Sequence, residues 1–410
     1  MTMSVDKLVD STQLDADLAS VANAIRTKGG TSAQLAFPAD FVQAIEDIET
    51  GGGGRPTASE NDVIFIDYDG HILYSYTAEE FGRLSAMPTP PTPPISTLTA
   101  GWNWSFEDAQ AYVSKYKEHV IGAEYTEPNH KMYMVVDVPP NETVSISIRI
   151  SNKAPSTGNS ITVSWGDDSE EETESGIGRN VTKKYEHTYQ NAGRYTIAVF
   201  ASCYGHAWIS DCGHGRSRIR LLTRVAEEGI GQWMACAIPI IHCSGASGTD
   251  GQMTRNCLQY GVVFPSGFQT TDVNSNWFQN MYYTLRYVSW PKGATGALRG
   301  YNYASCEALS KLCAPEESVN IFVQSLYNCK GLRKFSITQG VTSIASGAFK
   351  DCSGLQELHF YPTTPPPVAN ADAFSGLPTD CIIYIPAGSL SDYTSATNYP
   401  DPNTYTYVEE

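Results

Sequence analysis

Apolar residues are spaced differently in successive stretches of the chain, and each change of spacing predicts a different kind of element. Leu14, Leu18, Val21 and Ile25 fall at helical steps, which predicts an amphipathic helix over about 6–28, ended by Gly29-Gly30. A second helix opens at Pro38, carries Phe41, Ile45 and Ile48 on one stripe, and stops at the glycines 51–54. Two short helices with one greasy stripe each cannot close a core. Residues 1–54 therefore read as a helical attachment module covered by a partner subunit, or as a hairpin docked on its own chain.

Beyond the glycines, "VIFIDYDGHILYSYT" alternates β-branched and aromatic residues around Asp69-Gly70, a hairpin signal. "MPTPPTPP" (Met87–Pro94) predicts a stiff extended connector, and Trp102 and Trp104 precede a helix expected from about Phe106. Residues 55–130 read as a small strand/helix domain. From about Lys131 the period is two: "MYMVVDV", "VSISIRI" and "SITVSWGDDS" predict a β-sandwich over 131–212.

Over 213–410 a longer period takes over. Cys306 opens "CEALSKL", Cys329 "CKGLRKF" and Cys352 "CSGLQEL", so Cys-x-x-Leu-x-x-apolar recurs at 23-residue steps. Tyr303, Leu326 and Phe349 stand three residues before these cysteines. Weaker copies lie upstream, one led by Cys257 and one with Met281 in the cysteine's place. Leucines at fixed offsets in a period of 20 to 29 mark a leucine-rich solenoid, whose turns share one core. The fold class expected is multi-domain and mainly β with short helices: helical hairpin, small α+β domain, β-sandwich and solenoid.

Composition narrows the partners. A net charge of -17 with 27 basic residues argues against nucleic-acid or anionic-membrane binding. "MTMSVDKLVD" has no apolar core and no long apolar run follows, so a soluble chain made in a cytosol, without membrane insertion, is expected. The 10 dispersed cysteines then read as reduced. In the repeats Cys257, Cys306, Cys329 and Cys352 read as stacking positions, because a catalytic thiol needs a base and an electropositive site whereas a repeat position needs a small apolar group.

No metal or cofactor is expected. Cys203, His206, Cys212 and His214 in "CYGHAWISDCGH" are soft enough for zinc, but their spacing departs from zinc patterns, and a turn between sandwich and solenoid is the preferred reading. The carboxylates Asp167, Asp168 and Glu170 suit a hard cation without forming a complete ligand loop. Asp167 and His187 are read as structural rather than catalytic.

Three resemblances add to these readings. "VSWGDDS" with "YEHTYQNAGRYTIAVF" resembles the polycystic-kidney-disease domain, an Ig-like sandwich, with Asp168 standing where that family has glycine. "SIASGAFKDCSGLQELHF" and "LYNCKGLRKFSI" resemble the bacterial surface-antigen type of leucine-rich repeat. "IRTKGGTSAQLAFP", with the "DYDGHILYSYTAEEF" and "GWNWSFEDAQAYV" segments, resembles tail proteins of phages and prophages of Gram-positive gut bacteria.

Those resemblances imply a non-enzymatic virion component at the tail tip or fibre, assembled in the bacterial cytoplasm. It would join other tail subunits through its N-terminal helices as a homo-oligomer and bind a host cell-surface glycan or protein through its C-terminal β modules. Trp277, Tyr282, Tyr283, Trp290, Tyr301 and Tyr303 are the candidate contact residues. A purely structural tail protein and a glycan depolymerase are the competing readings; the latter needs a carboxylate pair or Ser/His set that the spacing does not display.

Overall fold

In the computed structural model the period-two segments after residue 60 become strands. The structure describes residues 60–410 apart from 68–69, 94–98, 127–130, 151, 153, 204–206, 214–217, 225–233, 237–260, 265, 267–277 and 279–284. For the strands between 210 and 236 it describes the backbone. The helices predicted within 1–54 lie outside the described residues.

β1 (Val63–Ile66) and β2 (Ile72–Tyr76) form an antiparallel hairpin, in which the Gly70 N–H donates to the Asp67 carbonyl at 3.0 Å. A one-turn helix α1 (Ala78–Gly82) follows. Its cap is reciprocal: the Glu80 N–H donates to Thr77 Oγ1 at 3.1 Å and the Thr77 N–H to Glu80 Oε2 at 2.8 Å. β3 (Thr99–Trp102), α2 (Phe106–Tyr116) and β4 (His119–Thr126) complete a sheet of order β2-β1-β4-β3. Ser105 caps α2, and Lys117 ends it in the left-handed conformation at φ 59°. The proline run connects α1 to β3 within this one sheet, and its start is held against it. The Trp102 indole donates to the Pro88 carbonyl at 2.8 Å, and the Tyr74 hydroxyl to that of Thr89 at 3.0 Å.

The next eight strands are β5 (Lys131–Val138), β6 (Glu142–Ile150), β7 (Asn159–Ser164), β8 (Glu172–Ile177), β9 (Thr182–Tyr189), β10 (Gly193–Ala201), β11 (Ala207–Gly213) and β12 (Arg218–Arg224). They form two layers, β12-β5-β10-β7-β8 over β11-β6-β9. Alternate residues such as Ile146 and Ile148 of one layer share a core with Val163 and Val199 of the other, as period-two strands require. Trp165 is buried in it, with His187 stacked on its ring at 5.1 Å and its carbonyl accepting from the Tyr189 hydroxyl at 2.8 Å. The turn after Trp165 needs Gly166, since at φ 76° a Cβ would lie 2.3 Å from the Thr196 carbonyl oxygen. Asp168 holds φ 63°, so an aspartate takes the left-handed position without a glycine.

The layer containing β12 continues. β13 (Met234–Cys236) joins it to β14 (Gly261–Val263), β15 (Tyr287–Ser289) and β16 (Lys311–Leu312), giving the order β16-β15-β14-β13-β12-β5-β10-β7-β8. β14, β15 and β16 are parallel, the first rungs of a solenoid. β17 (Asn320–Ile321) and β19 (Ser343–Ile344) form a second parallel pair. β18 (Lys334–Ile337), β20 (Glu357–Phe360), β21 (Ile382–Ile385) and β22 (Thr406–Glu409) form the remaining parallel sheet.

Each solenoid turn places the same residue types in the shared core. Leu285, Leu309, Leu332 and Leu355 are fully buried, as are Cys306, Cys329 and Cys352. The residues just before these cysteines, Ser305, Asn328 and Asp351, all take φ near +60° (63°, 59° and 61°), a left-handed step repeated at each turn. β21 does not end the array: the chain passes through a short helix, α3 (Leu390–Ser395), and returns to add β22 beside it. Tyr393, Tyr399, Tyr405 and Tyr407 of that return cover the end of the core, which is why a further strand is needed to hold them.

Candidate ligand-binding face

In β18, β20 and β21 alternate residues point into the core: Phe335, Ile337, Leu358, Phe360, Ile383 and Ile385. Their neighbours therefore occupy the outer face, where Ser336, His359, Tyr384 and Val408 stand in register across four strands. A parallel sheet with one face uncovered is a ready surface for a ligand, so what lies on this face matters.

Its first half is covered by the chain's own small sheet. β4 passes so close to β14 that a Cβ on Gly122 would lie 2.3 Å from the Val263 side chain. Asn103, itself buried, donates to the Phe264 carbonyl at 2.8 Å and to Ser289 Oγ at 2.9 Å, while its Oδ1 accepts from the Gly122 N–H at 2.9 Å. Trp104 donates to the Trp290 carbonyl at 2.6 Å and Tyr112 to that of Ala314 at 2.7 Å. At the edge of the contact Lys115 and Tyr116 both bind the Glu316 carboxylate, Lys115 at 2.5 Å. Burial pushes that carboxyl up, but the two bonds outweigh it and hold it below its usual range. Further along, Ser336 Oγ donates to Glu118 Oε1 at 2.6 Å and the Gln339 N–H to the Tyr116 hydroxyl at 3.4 Å.

Beyond Ser336 the face opens. His359 stacks flat on Tyr384 at 4.2 Å, with Nδ1 2.7 Å from Glu410 Oε1 and Nε2 3.2 Å from Glu357 Oε2. Tyr361 lies beside it and meets Tyr116 of the small sheet edge-on at 4.6 Å. A row of rings thus runs from the covered half into the open half, ending on half-buried Tyr384 and exposed Val408. Glu357 and Glu410 remain about two-fifths exposed (41% and 39%) while the imidazole between them is at 7%. Folding therefore brings together two carboxylates 53 residues apart. Both ring nitrogens are engaged, so His359 ties β22 to β20 and has no free nitrogen to offer a substrate. Half-exposed rings, carboxylates and apolar edges suit holding a ligand.

The sequence-predicted contact residues fall elsewhere. Trp290 is 1% exposed: it stacks on Phe264 at 3.9 Å and donates to the Tyr303 hydroxyl at 2.7 Å. Tyr303 is fully buried and stacks on Phe278 at 5.5 Å. These two rings fill the space between turns and present nothing to a ligand, which corrects the contact role given to them. Tyr301 is half-buried at a left-handed turn, φ 58°. Trp277, Tyr282, Tyr283, Cys257 and Met281 lie outside the described residues.

Cys203 is buried, which pushes its thiol up; His206, His214 and the Cys212 side chain lie outside the described residues. Among the described residues no three His, Cys, Asp or Glu side chains group to hold a metal. Asp167 instead accepts from Ser169 Oγ at 2.6 Å and pairs with His187 Nε2 at 2.7 Å. His359, Tyr361 and Tyr384 were missed, although the signal is present: each follows an apolar strand residue of a repeat, on the alternate face.

The repeat geometry is matched by sequence comparison. Residues 255–386 match six copies of the BspA type leucine rich repeat region. This stretch is about a third of the chain. The structure also resembles the crystal structure of the pneumococcal vaccine antigen PcpA, at 13% identity and a TM-score of 0.26, over 38% of this chain and 42% of that one. The match thus spans less than half of that antigen. No curated protein sequence matches the chain.

Proposed function

We propose that this chain is a non-enzymatic recognition protein that binds a host cell-surface ligand through the uncovered half of its solenoid face. The observation that carries this reading is the row that runs from Tyr361, at the edge of the cover, to half-buried Tyr384 and exposed Val408 beside the partly exposed Glu357 and Glu410. Repeats of the BspA type support a surface-binding role, and the phage-like N-terminal motif supports its setting. In this reading residues 1–54 join other tail subunits of a virion as a homo-oligomer. The two-layer β unit, with its Trp165-Gly166-Asp167 turn, serves as a polycystic-kidney-disease-like spacer.

Labelled full-length protein tests the reading on intact Gram-positive gut bacteria. Tyr384→Ala and Val408→Asp should each lower cell binding at least tenfold while the protein stays folded. Undiminished binding by both variants would reject the face as the binding surface. Gold-labelled antibody on virions should mark the tail tip.

A further inference from the structure

Among the described residues β22 stands at one end of its sheet and pairs with β21 alone. The Glu410 N–H donates to the Ile385 carbonyl at 2.9 Å and the Glu410 carbonyl accepts from the Ala387 N–H at 3.1 Å. Backbone groups alternate in direction along a strand, so those of Thr406, Val408 and Glu410 face β21 while those of Tyr407 and Glu409 face outward. Strand edges are ordinarily blunted by proline, charged side chains, a bulge or short length. Thr406–Glu409 is short but has no proline, pairs with β21 without a break in register, and carries one charged side chain, Glu409. The Glu409 carboxylate is turned back to accept the Leu390 N–H at 3.0 Å.

Two exposed apolar side chains stand beside this edge. Among the described residues four large hydrophobic side chains are clearly exposed, and two of them, Val408 at 36% and Leu390 at 43%, lie here. The charge beside them is negative, from Glu410 and Glu357. A second copy of this chain would bring its own Glu409 and Glu410 to the same edge and add to a net charge of -17, which disfavours self-pairing.

We propose that β22 receives an extended segment of a partner protein as an added strand, with an apolar residue beside Val408 and a basic residue two positions away beside Glu410. Main-chain bonds to Tyr407 and Glu409 supply affinity, and the alternate side chains supply selectivity. This deepens the reading of the open face as a binding surface by choosing a protein segment over a glycan.

The probe is a fluorescent nine-residue peptide alternating threonine with valine and lysine, read by anisotropy against the full-length protein. Glu409→Pro removes an N–H that faces solvent, a position where an edge strand tolerates proline. Wild type and Glu409→Gln should bind the peptide alike. Glu409→Ala, which loses the same carboxylate bond to Leu390 but keeps the N–H, should bind as wild type does, and Glu409→Pro at least tenfold more weakly. Val408→Lys, a change at an exposed side chain, should also weaken binding tenfold, and so should replacing the peptide's lysines by glutamates.

Failure of wild type to bind the peptide, or full binding by Glu409→Pro or Val408→Lys, overturns the proposal. So does a wild-type dimer in sedimentation that Glu409→Pro dissociates, or saturable binding of neutral chito-oligosaccharide that Val408→Lys abolishes. Loss of cell binding in Tyr384→Ala alongside peptide binding lost in neither edge variant would reject this inference while leaving the broader one standing.

Discussion

Cys352 Sγ lies 3.0 Å from the carbonyl oxygen of Leu326, one solenoid turn earlier. The relation repeats: Cys329 donates to the Tyr303 carbonyl at 3.2 Å and Cys306 to that of Phe278 at 2.9 Å. Each thiol thus reaches the bulky residue that stands three positions before the previous repeat's cysteine position, so two columns of the 23-residue pattern are one physical contact. The sequence alone presents the cysteine as a small apolar wedge, and the structure adds a donor role. Cys352→Ala should cost about 1–2 kcal/mol, from a small cavity and a lost bond. Cys352→Ser keeps a donor facing Leu326 and should cost no more than about 1 kcal/mol beyond alanine. Urea unfolding of the three proteins measures this, and a much larger penalty for serine would show that the carbonyl does not receive the bond.

The same burial governs reactivity. It pushes the Cys352 and Cys381 thiols up to about 12 and that of Cys329 well above its usual value. Thiolate is the nucleophile, so these sulfurs should resist iodoacetamide at pH 8 in the native protein and react fully in guanidinium. Mass spectrometry of tryptic peptides after a timed pulse reads the outcome. Rapid native labelling of Cys352 would require a second, open state of the solenoid.

Asn103 joins the small sheet to the solenoid. Asn103→Ala leaves the Gly122 N–H and the Phe264 carbonyl without the bonds Asn103 supplies, and should destabilise the protein by about 3 kcal/mol. Asn103→Asp should do similar harm, since it removes the donor and buries a charge. Urea unfolding of both variants beside wild type measures the loss.

How much of this was legible depends on whether a pattern is local. The solenoid was legible because its period is written three times in clear copies, and α2 because Ser105 and the stripe of Ala109, Val113 and Tyr116 signal it. α1 was missed although Thr77-x-x-Glu80 is a capping signature, because its five residues are too few to show a period. The open face was not legible. Exposed aromatics were sought where aromatic residues are dense, yet density marks the core here: Trp290 and Tyr303 are inside, and the open rings lie on the later, sparser repeats. Nor does any local signal reveal that residues 60–126 cover the first half of the face, since Asn103 meets Ser289 across 186 residues.

The cover also builds in a pH dependence. His119 is buried between Trp104 and Tyr112, with ring centroids 4.4 Å away on both sides, and neither nitrogen meets a hydrogen-bond partner among the described residues. Burial pushes its pKa from 6.5 down to about 3. The folded protein keeps this imidazole neutral, whereas the unfolded chain takes up a proton once pH falls below about 6.5. This group has no effect on stability above that pH. Below it, stability falls by about 1.4 kcal/mol for each pH unit until the folded pKa is reached. His119→Leu, which keeps the volume and removes the titration, should flatten the dependence of unfolding free energy on pH between 6 and 4, while differing little from wild type in slope above pH 7. An unchanged acid slope in His119→Leu would mean that the imidazole is charged or solvated in the folded state, and that the contact of Trp104 and Tyr112 with the solenoid is looser than the structure places it.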